Sequence, residues 1–119
     1  MDSLLLLAMV IQGEVGLVPQ AMPLVAHAVM NRVADHRWPD TVIGVLEQPH
    51  QWNGRADPSS LAYYWARRAL RRDRDPTGGI LFVISGDDRK VLDCDRGDVI
   101  YVVPDHSVHG YRSWCKEKR

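Results

Sequence analysis

From Leu4 to Ile11 every position of the chain is apolar, with no polar face to interrupt the run. Such a segment, with Asp2 or Ser3 to cap its start, predicts a short helix buried on all sides in a small core. After a turn at Pro19, Leu24, Val25, Ala28, Val29 and Val33 recur at helical spacing. They predict a second, amphipathic helix from Gln20 to about Asp35, with His27 and Asn31 on its other side and Arg32 near its end. Trp38-Pro39-Asp40-Thr41 stops that helix and caps a short third one over Val42, Ile43, Val45 and Leu46. Gln48 to Pro58 is polar and turn-rich, with Trp52 inside it. Asp57-Pro58 supplies an N-cap followed by proline at the first helical position, and Leu61, Ala62, Trp65, Ala69 and Leu70 predict a fourth helix to about Arg72. Asp75-Pro76-Thr77-Gly78-Gly79 breaks the helical pattern. Two β-branched runs follow, Ile80 to Ile84 and Val99 to Val103, and predict two strands of a small antiparallel sheet. The tail from His106 to Arg119 has no clear period. The expected architecture is a mostly helical α+β domain, a single unit over residues 1–119, with its small sheet in the C-terminal part.

Composition narrows the function classes. A chain of 119 residues supports one core. Lys and Arg total 15, as do Asp and Glu, so the formal net charge is zero and nothing suggests a nucleic-acid partner. The leading apolar run is too short to insert in a membrane, and it lacks the basic flank and cleavage site of an export signal. The chain is therefore expected to be made in the cytoplasm, as a monomer, and to reach any target outside the cell by release or within a particle. Cys94 and Cys115 have no metal-site spacing; they are either free thiols or one staple. His27, His36, His50, His106 and His109 are scattered, with no His-Glu-x-x-His, and Asp93 to Asp98 lacks the ligand pattern of a calcium loop. No metal or other cofactor is expected.

The candidate chemistry begins with Glu14, in Gln12-Gly13-Glu14-Val15-Gly16. A carboxylate where a helix ends meets the negative end of the macrodipole, and apolar neighbours would deny it solvation; both penalise its charged form. On that reading Glu14 retains its proton and suits a general acid acting on a glycosidic oxygen. The alternative is a solvated turn between Gly13 and Gly16. Gln51, Trp52 and Asn53 place an indole beside two amides, a combination that stacks on a sugar ring and binds its hydroxyls. Trp52 could equally plug the core from its loop. Thr77-Gly78 could admit a glycan close to the backbone, or simply turn the chain into a strand. The arginines from Arg67 to Arg74 read as a solvated helix end.

Four pieces in order carry a resemblance: Gly13-Glu14 after an apolar helix; Asn31-Arg32-Val33 followed by Trp38-Pro39-Asp40-Thr41-Val42; Gln48-Pro49-His50-Gln51-Trp52; and Asp75-Pro76-Thr77-Gly78-Gly79 before Leu81-Phe82. The set resembles the cell-wall hydrolases of the spore-cortex-lytic (SleB-like) type, whose catalytic domains have a small lysozyme-like fold. The resemblance implies that Glu14 is the proton donor in cleavage of peptidoglycan glycan strands between N-acetylmuramic acid and N-acetylglucosamine, as in a lytic transglycosylase. It favours sugar contact for Trp52, and it implies substrate-binding roles for His109 and Tyr111. An enzyme of this type without an export signal would suit phage or prophage lysis. The family's usual Gly-Glu-Ala-Arg-Gly-Glu is Gly13-Glu14-Val15-Gly16-Leu17-Val18 here, so neither the arginine nor the second glutamate has an obvious equivalent. That departure leaves room for a hydrolytic muramidase, or for a non-catalytic wall-binding or virion structural domain of the same fold.

Overall fold

A computed structural model describes residues 2–85, 92–93, 99–102, 108–111 and 116–117. Helix α1 (Ser3–Val15) begins at Asp2, whose carboxylate accepts the Leu5 N–H at 2.8 Å. Leu6, Leu7, Val10 and Ile11 are buried, as an all-apolar run requires. A 3-10 turn (Pro19–Ala21) leads into α2 (Met22–Ala34). This helix is the centre of the domain, packed against α1, α3 (Val42–Leu46), α4 (Ser60–Leu70) and the first strand. Its surroundings bury even His27 and Arg32, so the expected amphipathic helix is a core helix that carries polar side chains inside.

Thr41 caps α3 through its hydroxyl, at 3.0 Å from the Gly44 N–H. The cap of α4 is Ser59, which accepts the Ala62 N–H at 3.1 Å, and not Asp57 as the Asp-Pro signature predicts. Ala62, Ala66 and Ala69 form its buried edge, small enough to bring α4 close to α1 and α2.

The sheet departs from the expected pair. Strands β1 (Phe82–Ser85) and β3 (Val99–Val102) are not paired with each other; both pair antiparallel with β4 (Val108–Tyr111), which lies between them. Ile84 stands opposite His109, and Phe82 opposite Tyr111. The tail therefore supplies the central strand. Its residues are all buried, so the in-and-out alternation that betrays a half-exposed strand is missing. β2 (Leu92–Asp93) and β5 (Lys116–Glu117) form a separate antiparallel pair. Cys94 and Cys115 lie outside the described residues. Among the described residues no helix is long and apolar enough to cross a membrane.

Candidate active site

Glu14 occupies the last turn of α1, one position before buried Val15. One residue is a rotation of about 100° on a helix, so the enclosure expected for the carboxylate belongs to Val15, and Glu14 is exposed instead. It is nevertheless held in place. The Gly54 N–H donates to Glu14 Oε1 at 2.8 Å. Beside it the Ala56 N–H donates to the Met9 carbonyl at 3.1 Å and the Ser59 N–H to Gln12 Oε1 at 3.0 Å, so the segment entering α4 is laced along the flank of α1.

Two glycines make that crossing possible. A Cβ on Gly13 would lie 2.2 Å from the Arg55 nitrogen, and one on Gly54 would lie 2.6 Å from the Gly13 carbonyl carbon. Backbone meets backbone at the point where Glu14 is tethered.

Glu14 and Val15 also separate two depressions. One is a cleft of about 330 Å³ whose other walls include Arg32 from α2, His50, Gln51 and Trp52 from the loop after α3, and Phe82 from β1. The second, about 340 Å³, runs past Gln12, Gly16, Val18 and Ala56 to Leu17, a leucine left 99% exposed. Glu14 is the one carboxylate among the described residues lining either depression. His50 adopts a left-handed φ of 62°, turning the loop back so that Gln51 and Trp52 face α2.

Arg32 organises the cleft floor. Its Nε donates to the Leu81 carbonyl at 2.8 Å and its Nη1 to Gln51 Oε1 at 3.2 Å. The guanidinium carbon lies 5.1 Å from the Trp38 ring centre, 5.0 Å from that of Trp52 and 5.2 Å from that of Phe82. Burial pushes its pKa down to about 10, so the group remains a cation at neutral pH.

Behind it stands Asp75. Its carboxylate accepts from Asn31 Nδ2 at 2.9 Å, from the Thr77 N–H at 2.7 Å and hydroxyl, and from the Gly79 N–H at 2.9 Å. Asn31 also donates to the Ile80 carbonyl at 2.9 Å, and His27 Nδ1 lies 3.7 Å from Asp75 Oδ1. Burial alone would raise the Asp75 pKa, but the bonds from Thr77, Asn31 and Gly79 outweigh it and hold the acid below its ordinary range. For His27 burial dominates and lowers the pKa, with the Asp75 charge opposing.

The expected site residues divide accordingly. Glu14, Gln51 and Trp52 meet at one cleft, while Asn53 is exposed beside it and lines neither depression. Trp52 is only 7% exposed, with Arg32 over its ring, so it forms both wall and core. Thr77 is buried against Asp75, and Gly78, with φ of 76°, serves the turn; neither lines the cleft. His109 and Tyr111 are buried in β4 and are likewise absent from its walls. Arg32 is the site residue that the sequence reading missed. A cation inside an apolar helix, in a chain with aromatics at 38, 52 and 82, was the available signal.

The sequence model of the cell wall hydrolase family matches residues 18–96, more than half of the chain. The chain belongs to the cell wall hydrolase family. Within that match lie Asn31-Arg32, Gln51-Trp52 and the Asp75 turn, whereas Glu14 precedes it by four residues (18 − 14). The fold is shared with the catalytic domain of the SleB protein of Bacillus cereus, at a TM-score of 0.72 and 22% identity, over 92% of this chain and 88% of that one. It is shared equally with the catalytic domain of the germination-specific lytic transglycosylase SleB of Bacillus anthracis, with TM-score 0.72, 21% identity, 92% of this chain and 93% of that one. No curated protein sequence matches.

Proposed function

We propose that this cell wall hydrolase cleaves the glycan strands of peptidoglycan between N-acetylmuramic acid and N-acetylglucosamine, with Glu14 as the proton-transferring group. The observation that carries the reading is the position of Glu14: a tethered carboxylate on the ridge between two depressions, where a strand lying across both would bring a linkage over it. The SleB-like fold and the family match support the substrate class.

The proposed reaction is a lytic transglycosylation. Glu14 gives its proton to the glycosidic oxygen as the bond from muramic C1 breaks. As a carboxylate it then takes the proton from the 6-hydroxyl of the same sugar, whose oxygen closes on C1. One carboxylate suffices for both steps. A hydrolase would need a second acid to activate water or attack C1, and Glu14 stands alone among the described lining residues. Elsewhere in the chain, Glu47 is paired with Arg55 at 3.1 Å, Asp40 lines neither depression, and Asp87 lies outside the described residues.

Turbidity clearing of purified cell walls tests the assignment. Glu14→Gln should lower the rate by about a hundredfold or more and leave the melting temperature close to that of the parent. Clearing by both proteins alike would remove Glu14 from the mechanism, and clearing by neither would leave a wall-binding domain. Mass spectrometry of the fragments should show 1,6-anhydro muramic ends; new reducing muramic ends would mean a muramidase.

A further inference from the structure

Arg32 is 4% exposed, yet none of the ion pairs among the described residues includes it. Its protein partners are the neutral Leu81 carbonyl, the neutral Gln51 amide and three aromatic rings. Neutral acceptors and ring faces fix the plane of a guanidinium, but they do not cancel its charge. Of its five N–H donors, those on Nη2 have no hydrogen-bond partner among the described residues. Nη2 is also absent from the buried polar atoms that lack one, and Arg32 lines the cleft, so this end of the fork opens into it. A neutral ligand would leave the cation uncompensated, and a cationic one would be repelled. A carboxylate would supply the missing charge in the geometry that the guanidinium fork favours.

We infer that Arg32 is a specificity-determining residue that receives, at the floor of the Glu14 cleft, a carboxylate carried by the muramic residue of the glycan. The inference rests on the glycan-cleaving function proposed above and adds to it the feature by which the protein would tell an acidic wall glycan from a neutral polymer of N-acetylglucosamine. The acid has two sources: the lactyl arm itself in peptide-free glycan, or the peptide attached to that arm.

Titration calorimetry on the full-length Glu14→Gln protein, which binds without turnover, separates these sources. Three oligosaccharides of equal length are compared: one with free lactyl carboxylates, one with those groups converted to primary amides, and one bearing short peptides with free carboxylates. At least one acidic form should bind about tenfold or more tightly than the amide, the increment of a charge-assisted hydrogen bond. Whichever acidic form gains identifies the source. Adding Arg32→Gln should collapse the ratio of acidic to amide affinity, and Arg32→Lys should restore part of it. A merely structural arginine would alter all three affinities together. Equal affinity for all three ligands in the Glu14→Gln protein overturns the inference while leaving the glycan reading intact, and that comparison stands even if Arg32→Gln fails to fold. Binding of none of them overturns both.

Discussion

Replacing Gly13 with alanine sets two effects of opposite sign against each other. Gly13 is within α1, and in a helix interior alanine is favoured over glycine by about 0.5–1 kcal/mol through its smaller loss of backbone entropy. Taken alone, that effect would stabilise the protein. The structure predicts the reverse, because the new Cβ would lie 2.2 Å from the Arg55 nitrogen and 2.3 Å from the Gly54 carbonyl carbon. Both are backbone atoms that no rotamer change can move aside. Relief requires the 54–56 segment to lift from α1, which stretches the bond from Ala56 N–H to the Met9 carbonyl and the bond from Gly54 N–H to Glu14. The first contributes about 1 kcal/mol, the second, to a charged group, about 1.5–3 kcal/mol, and overpacking adds about 1–3 kcal/mol. Even after the helical gain the net loss is about 3–6 kcal/mol, a fall in melting temperature of roughly 10–25 °C for a domain of this size. Urea denaturation gives the stability, and wall clearing at a temperature where the variant stays folded gives the activity. Both should fall, since the tether of Glu14 depends on the same crossing. A Gly13→Ala protein as stable as the parent would refute the reasoning, for it would mean that the segment does not cross α1 at the Gly13–Gly54 contact.

Trp52→Ala should cost about 3–5 kcal/mol of stability, as for a buried aromatic, and the denaturation midpoint should move at least as far as the affinity for glycan; a large loss of affinity at unchanged stability would return Trp52 to the role of a sugar platform. Asp75→Ala strands the donors on Asn31, Thr77 and Gly79 and should cost about 3 kcal/mol or more, measured by the same denaturation. The pH dependence follows from the sign of two shifts. His27 has a folded pKa below its ordinary 6.5, so its contribution to stability is complete above that value and declines as the pH falls below it. Asp75, also lowered, contributes fully above its ordinary 3.8 and loses that contribution as the pH falls through its folded value. Urea midpoints should therefore hold steady above neutrality and drop in two acidic stages; an unchanged slope between pH 7.5 and 5.5 in His27→Gln would remove His27 from the first.

The helices were legible because their signals are local. The apolar run of α1, the Thr41 cap of α3 and the 3.6-residue spacing of α2 each lie within a few turns of chain, and each element forms where its pattern predicts. The sheet was legible only in part, since pairing is a relation between distant segments. Val99 to Val102 has the β-branched composition of a strand, but nothing in it says that its neighbour is the His109-Gly110 segment instead of β1. The Ser59 cap was hidden by a stronger-looking Asp-Pro pair just upstream.

The site followed the same division, and the division explains where the structure places the expected residues. Trp52, Thr77, His109 and Tyr111 are types that often touch sugars, but residue type does not reveal burial, and all four are buried. What places a group at this cleft is a sequence of long-range contacts through α2. Asp75 gathers Thr77 and Gly79 into a turn, Asn31 fastens that turn to the helix, and the Leu81 carbonyl thereby meets Arg32. Arg32 in turn holds Gln51, 19 residues further along the chain, against the opposite wall. His27, Asn31 and Arg32 are the polar residues of an otherwise apolar helix, the first two one turn apart and Arg32 on the next face, and each engages a segment that would otherwise be only a loop. Polar groups inside a core are costly unless each finds a partner. The loop after α3 and the turn before β1 are therefore held by the same helix that forms the core, while the Gly13–Gly54 crossing separately fixes Glu14 on its ridge. Rigidity at the cleft thus comes from two independent anchors, so damage to either should loosen one wall and leave the other in place.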